Sequence, residues 1–131
     1  MAMRLLFDTH AFLWWLEAEE PRLRPATSTA IRDGGNTVFV SVVNAWEIAI
    51  KVSMGKLRMT HSFADLTEHY GFPILPILLP HTMALRSLPL HHRDPFDRML
   101  IAQAQVEGLN AWVAYPKLPI GTAICCPRPG H

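Results

Sequence analysis

Net charge of either sign is what this 131-residue sequence most plainly lacks: 12 Lys and Arg stand against 11 Asp and Glu, a formal +1. A protein that grips nucleic acid through a broad positive surface would be far more basic. That mode is excluded, whereas nucleic acid as a substrate is not. Cysteine is scarce as well. Cys125 and Cys126 are adjacent and close to the end of the sequence, where a mutual disulfide would be strained and would close almost no loop. No CxxC or Cys/His spacing suggests zinc, so a reducing cytoplasm is the expected compartment. Long apolar runs are missing too, and nothing approaches the roughly 18 residues of a transmembrane helix. Phe72 to Leu79 is apolar but short, and Pro73 and Pro76 break it. Arg4, Asp8 and His10 interrupt the N-terminal apolar stretch, which makes it a poor signal peptide.

The usual cofactor and nucleophile motifs are also absent. There is no GxxxxGK[ST], no GxGxxG and no GxSxG. Neither cysteine has the polar setting of an activated thiolate. What is present is a hydrophobic half of the sequence with only 18% charged residues, enough to build one core without staples at this length. A single domain over residues 1–131 is expected, with no internal repeat or low-complexity run.

Strand and helix signals alternate. Leu5-Leu6-Phe7 reads as a buried strand ending at Asp8, followed by a helix from Ala11 to Glu17 capped by Asp8 or Thr9. A second helix starts at Pro25 and stops at Asp33-Gly34-Gly35. Thr37 to Ser41 is β-branched and aromatic, a second strand. Val43, Trp46 and Ile50 (i, i+3, i+7) predict the apolar face of a helix from Val42 to Met54, ended by Gly55. Further elements are a helix from Ser62 to Tyr70 closed by Gly71, an edge strand within Ile74–Leu78 and a helix from Pro80 to Leu88. After the turn His91-His92-Arg93, Asp94-Pro95 starts a helix that runs to Gly108. A fourth strand spans Ala111 to Ala114. Residues 116–131 form a divergent tail with four of the eleven prolines, in which Thr122 to Cys125 could add a last strand. The fold class is α/β: a mostly parallel central sheet flanked by helices in three layers. Ligands gather beyond the carboxyl ends of such strands.

The acids therefore decide the chemistry. Asp8 stands at a strand end, where it either caps the next helix or offers a carboxylate at the mouth of the sheet. Glu47 either pairs with Lys51 at i+4 or lines a cleft in a polar stripe with Asn44. Asp94 reads as an N-cap, and Asp97 is ambiguous because one acid in the first turn suffices for capping. Glu17, Glu19, Glu20, Asp33, Asp65, Glu68 and Glu107 read as solvated. His10 and the His91-His92 pair are the histidines nearest the expected cleft. Carboxylates without a nucleophile beside them favour a hard divalent cation such as Mg²⁺. A phospho-acceptor Asp8 would usually be joined by a second acid, which Asp8-Thr9-His10 lacks.

Three segments then carry a resemblance. Arg4-Leu5-Leu6-Phe7-Asp8-Thr9-His10, the stretch from Val40-Ser41 through Trp46-Glu47-Ile48-Ala49-Ile50-Lys51, and His92-Arg93-Asp94-Pro95-Phe96-Asp97-Arg98-Met99-Leu100-Ile101-Ala102 resemble a PIN domain. More narrowly they resemble VapC-type toxins of prokaryotic toxin–antitoxin pairs. The similarity runs in order from about residue 4 to 120. It implies a Mg²⁺- or Mn²⁺-dependent endoribonuclease, with Asp8, Glu47 and Asp97 as catalytic and metal-site residues and Thr9 as a supporting hydroxyl. It also implies a homodimer and a cognate antitoxin whose C-terminal segment covers the acidic cleft and supplies a basic residue.

One departure stands out. The family usually carries a fourth acid, in a Thr-x-Asp pattern, after the last helix–strand unit. Here Val113 and Tyr115 occupy the aligned positions, and no acid follows Glu107. A neutral phenol is a poor ligand for a hard cation, which favours one metal over two. Two readings follow: a ribonuclease toxin, or a catalytically impaired module that mainly engages its antitoxin.

Overall fold

The computed structural model of the chain describes residues 2–17, 25–88, 94–109 and, for the backbone alone, 111–113. Several expectations lie outside these residues: Glu19 and Glu20, the His91-His92-Arg93 turn, Ala114, Tyr115, and the tail with its cysteines and possible Thr122–Cys125 strand.

Leu5-Leu6-Phe7 has no polar alternation, the pattern of a strand covered on both faces. It forms β1 (Arg4–Phe7), and all three residues are buried. The remaining elements are α1 (Thr9–Leu16), α2 (Pro25–Arg32), β2 (Thr37–Ser41), α3 (Val42–Ser53), α4 (Phe63–Tyr70), β3 (Ile74–Leu75), α5 (Leu79–Ala84) with a 3-10 turn at Leu85–Ser87, α6 (Pro95–Glu107) and β4 (Ala111–Val113). The sheet is parallel in the order β3-β2-β1-β4. Leu5 pairs with Val38 on one side and Ala111 on the other.

Successive side chains of a strand point to opposite faces, and two cores result. Leu5, Phe7, Val38 and Val40 pack with Phe12, Ile31 and Ile48, joined by Phe63 and Phe72. Leu6 and Phe39 face the other way, toward Met99, Leu100, Ala104 and Leu85. Helices α1 and α2 thus cover one face and α6 the other, with α5 packed against α6. The expected three-layer α/β class is the observed one.

Two elements depart from expectation for identifiable reasons. The third strand is only Ile74–Leu75, because Pro76 has no N–H to donate to a ladder. It does lie at the sheet edge, as its prolines require. In α3 the apolar stripe is not the buried one. Val43 is buried, but Trp46 is 50% and Ile50 37% exposed, while Asn44 and Glu47 are inside with Ile48. Bonds from Asn44 to the neighbouring chain, described below, outweigh the hydrophobic periodicity.

Candidate active site

Strand order sets the location. Connections leave β1 toward β2 on one side and reach β4 on the other, so the carboxyl end of β1 is a topological switch point, where open α/β sheets form crevices. Asp8 follows β1 directly and is fully buried. Its Oδ1 accepts the N–H groups of His10 at 2.9 Å and Ala11 at 3.3 Å, which caps α1. Its Oδ2 is buried with no hydrogen-bond partner. Capping and a carboxylate at the mouth of the sheet were the alternatives: Oδ1 makes the cap, and Oδ2 is left buried without a partner. The cap is Asp8, not Thr9.

Burial above all holds the Asp8 carboxyl well above the ordinary aspartate value of 3.8. The charge of Asp97 raises it further, the two N–H donors oppose the rise, and Glu47 adds a smaller push upward. The fold has therefore brought three acids from distant parts of the sequence into one electrostatic field. Glu47 enters from α3 and lies 3.6 Å from Lys51 Nζ, so the i,i+4 pair forms on a carboxylate that is also largely buried. Asp97 enters from the first turn of α6. The capping there is done by Asp94, whose Oδ1 accepts from Phe96 N–H at 2.8 Å and Asp97 N–H at 3.2 Å. Trp46 meets Phe96 edge-on at 4.8 Å, and this contact packs α3 against the start of α6 beside the two acids. His10 Nδ1 lies 3.9 Å from Asp8 Oδ1.

Two expectations need correction. Asn44 does not line the cleft. It is fully buried, and its amide reaches the Phe7 carbonyl at 3.2 Å and Thr9 Oγ1 at 2.9 Å. Thr9 is accordingly occupied with Asn44. Glu107, read as solvated, is paired: its Oε2 lies 2.7 Å from Nε2 of the fully buried His81. Since His81 Nδ1 accepts the Leu78 N–H at 2.9 Å, Nε2 carries the proton and donates to Glu107. Sequence reasoning overlooked Ser41 and Gln103, both buried and bonded to each other. A signal did exist for Gln103: it stands three residues after Leu100 inside Leu100-Ile101-Ala102-Gln103-Ala104, where the helical period calls for an apolar side chain.

Among the described residues no three His, Cys, Asp or Glu side chains converge into a ready-made cage. A buried, unpartnered carboxylate oxygen repelled by two further acids nevertheless suits a hard cation. Mg²⁺ in particular takes one or two carboxylates and completes its shell with water and phosphate oxygens. The residues fit such an ion. A cleft of about 590 Å³, lined by Leu13, Glu17, Arg58, His61 and Tyr70, lies toward the far end of α1 and does not include the three acids.

This fold corresponds to a known class. The PIN domain family model matches residues 5–113, and the chain belongs to that family. PIN domains are generally nucleases that depend on divalent metal ions. No curated protein and no solved structure matches the chain. Among the described residues no helix is long and apolar enough to cross a membrane.

Proposed function

We propose that this chain is a Mg²⁺- or Mn²⁺-dependent endoribonuclease that acts as the toxin of a toxin–antitoxin pair. The observation that carries the nuclease reading is the buried, unpartnered Oδ2 of Asp8 in the field of Asp97 and Glu47. Asp8 and Asp97 hold the cation, and Glu47 orients it or the attacking water. The bound ion supplies Lewis-acid stabilisation of phosphate charge and a more acidic water. The chain's own part is to bring Asp8 into the field of Asp97, to fix Asp8 through its capping bonds and to tether Glu47 through Lys51. With Tyr115 where the fourth acid would stand, one cation per site is the expected number.

A protein partner is part of this reading: a cognate antitoxin, and a second copy of the chain in a homodimer. Exposed apolar side chains support it, Trp46 and Ile50 on α3 with Met54 just after it, and Leu79 and Met83 on α5, since exposed apolar surface marks interaction sites when it is contiguous. A short reading frame adjoining the gene upstream would support the toxin role directly. The central experiment is RNA cleavage by wild type and Asp8→Asn with Mg²⁺ and with EDTA. Cleavage by wild type in Mg²⁺ alone is expected. Equal activity in both proteins, or activity surviving EDTA, overturns the proposal.

A further inference from the structure

Ser41, Asn44 and Gln103 are fully buried polar residues outside the acid set. Each of their bonds has an assignable direction. Ser41 Oγ accepts the Val43 N–H at 2.9 Å, so its own proton goes to Gln103 Oε1 at 2.6 Å. Gln103 Nε2 then donates to the Pro76 carbonyl at 3.1 Å. Asn44 Oδ1 accepts the Ser41 N–H at 2.7 Å, which leaves Nδ2 for the Phe7 carbonyl and Thr9 Oγ1. One set of bonds thus joins the end of β1, the end of β2, the first turn of α3, the middle of α6 and the segment after β3.

Packing alone does not require this. Apolar side chains of similar volume would fill the space without the desolvation cost of five polar groups. Fixed donors and acceptors add register, because they accept one arrangement and penalise its neighbours. The attachment points also follow the acids. Asn44 grips the residues on both sides of Asp8 and lies one turn before Glu47. Gln103 lies six residues along α6 from Asp97, about 9 Å at helical rise. Three like charges at one sheet end push their elements apart, and the network opposes that push.

We propose that Ser41, Asn44 and Gln103 are positioning residues that hold β1, α3 and α6 in the register in which Asp8, Glu47 and Asp97 act on one divalent cation and one phosphate. The proposal rests on the site reading given above. The test is Gln103→Leu, compared with wild type in two measurements well below unfolding. One is Mn²⁺ binding without RNA, by electron paramagnetic resonance. The other is cleavage of a fluorescein-labelled single-stranded RNA of random sequence. Loss of a group supporting a metal ligand costs about 10- to 100-fold in metal affinity or activity. The expected result is that loss in Mn²⁺ affinity and kcat with KM little changed. Ser41→Ala should behave likewise, and Ser41→Thr, which keeps the hydroxyl, should recover most of the turnover. Wild-type Mn²⁺ affinity and kcat in folded Gln103→Leu or Ser41→Ala overturns the proposal, as does a loss that vanishes when activity is normalised to the folded fraction. Asp8→Asn separates the two readings. If it still binds Mn²⁺ and cleaves RNA, the site reading has failed. If it does neither while Gln103→Leu resembles wild type, the positioning proposal alone has failed.

Discussion

A buried carboxylate with one oxygen holding two N–H groups and the other holding nothing is a source of internal stress. Asp8 is in that position, and its raised pKa gives a pH dependence whose sign is fixed. Between the ordinary value of 3.8 and the raised folded value, the folded state binds more protons than the unfolded state. Asp8 therefore favours folding fully below the ordinary value, and that contribution is lost as pH rises through the folded value. Without metal, Asp8→Asn should be more stable than wild type at neutral pH, with the gap closing in acid. Thermal melts in EDTA across pH check this, and a gap that widens in acid would contradict it. A divalent cation reverses the order, because binding to the native state raises the melting temperature of wild type and should leave Asp8→Asn unmoved.

At the scale of elements, the start of α6 separates capping from chemistry. Asp94 carries the cap, so Asp94→Ala should lower stability by about 1 kcal/mol, the usual cost of an aspartate N-cap. Cleavage should persist in that variant. Asp97→Asn should do the opposite, abolishing cleavage while its urea midpoint stays near wild type. At the other end of the helix, Glu107 accepts the proton of buried His81 Nε2 and ties α5 to α6. Glu107→Ala leaves that donor unsatisfied and should cost about 1–3 kcal/mol. Glu107→Gln keeps an acceptor and should cost less, and urea unfolding of the two variants decides whether the bond matters.

For the whole molecule, the parallel sheet aligns the ends of its strands, so Asp8 feels the charges of Asp97 and Glu47 although long stretches separate the three. β4 lies beside β1, with Val113 in register with Phe7. Tyr115, where the family pattern places its fourth acid, follows Val113 by two residues in the sequence. Cleavage rate against Mg²⁺ concentration should follow single-site saturation, with a Hill slope of about one. A slope near two would point to a two-ion site of the kind that clamps attacking and leaving oxygens.

The sequence by itself determined the α/β alternation, because unbroken apolar strands, proline starts and glycine stops are local signals whose physics acts within a few residues. It also marked Asp8, Glu47 and Asp97 as the acids to watch. It could not say that Asp8 caps α1 with one oxygen and leaves the other buried without a partner, since each oxygen's surroundings depend on which elements pack around it. Nor could periodicity show that α3 buries Asn44 and Glu47 and exposes Trp46. That inversion follows from hydrogen bonds to Phe7 and Thr9, which exist only after β1 and α3 are neighbours. Glu107 looked solvated for the same reason, because its partner His81 is 26 residues away. Tertiary structure decided these points because the value of a polar group depends on whether water or a fixed donor surrounds it.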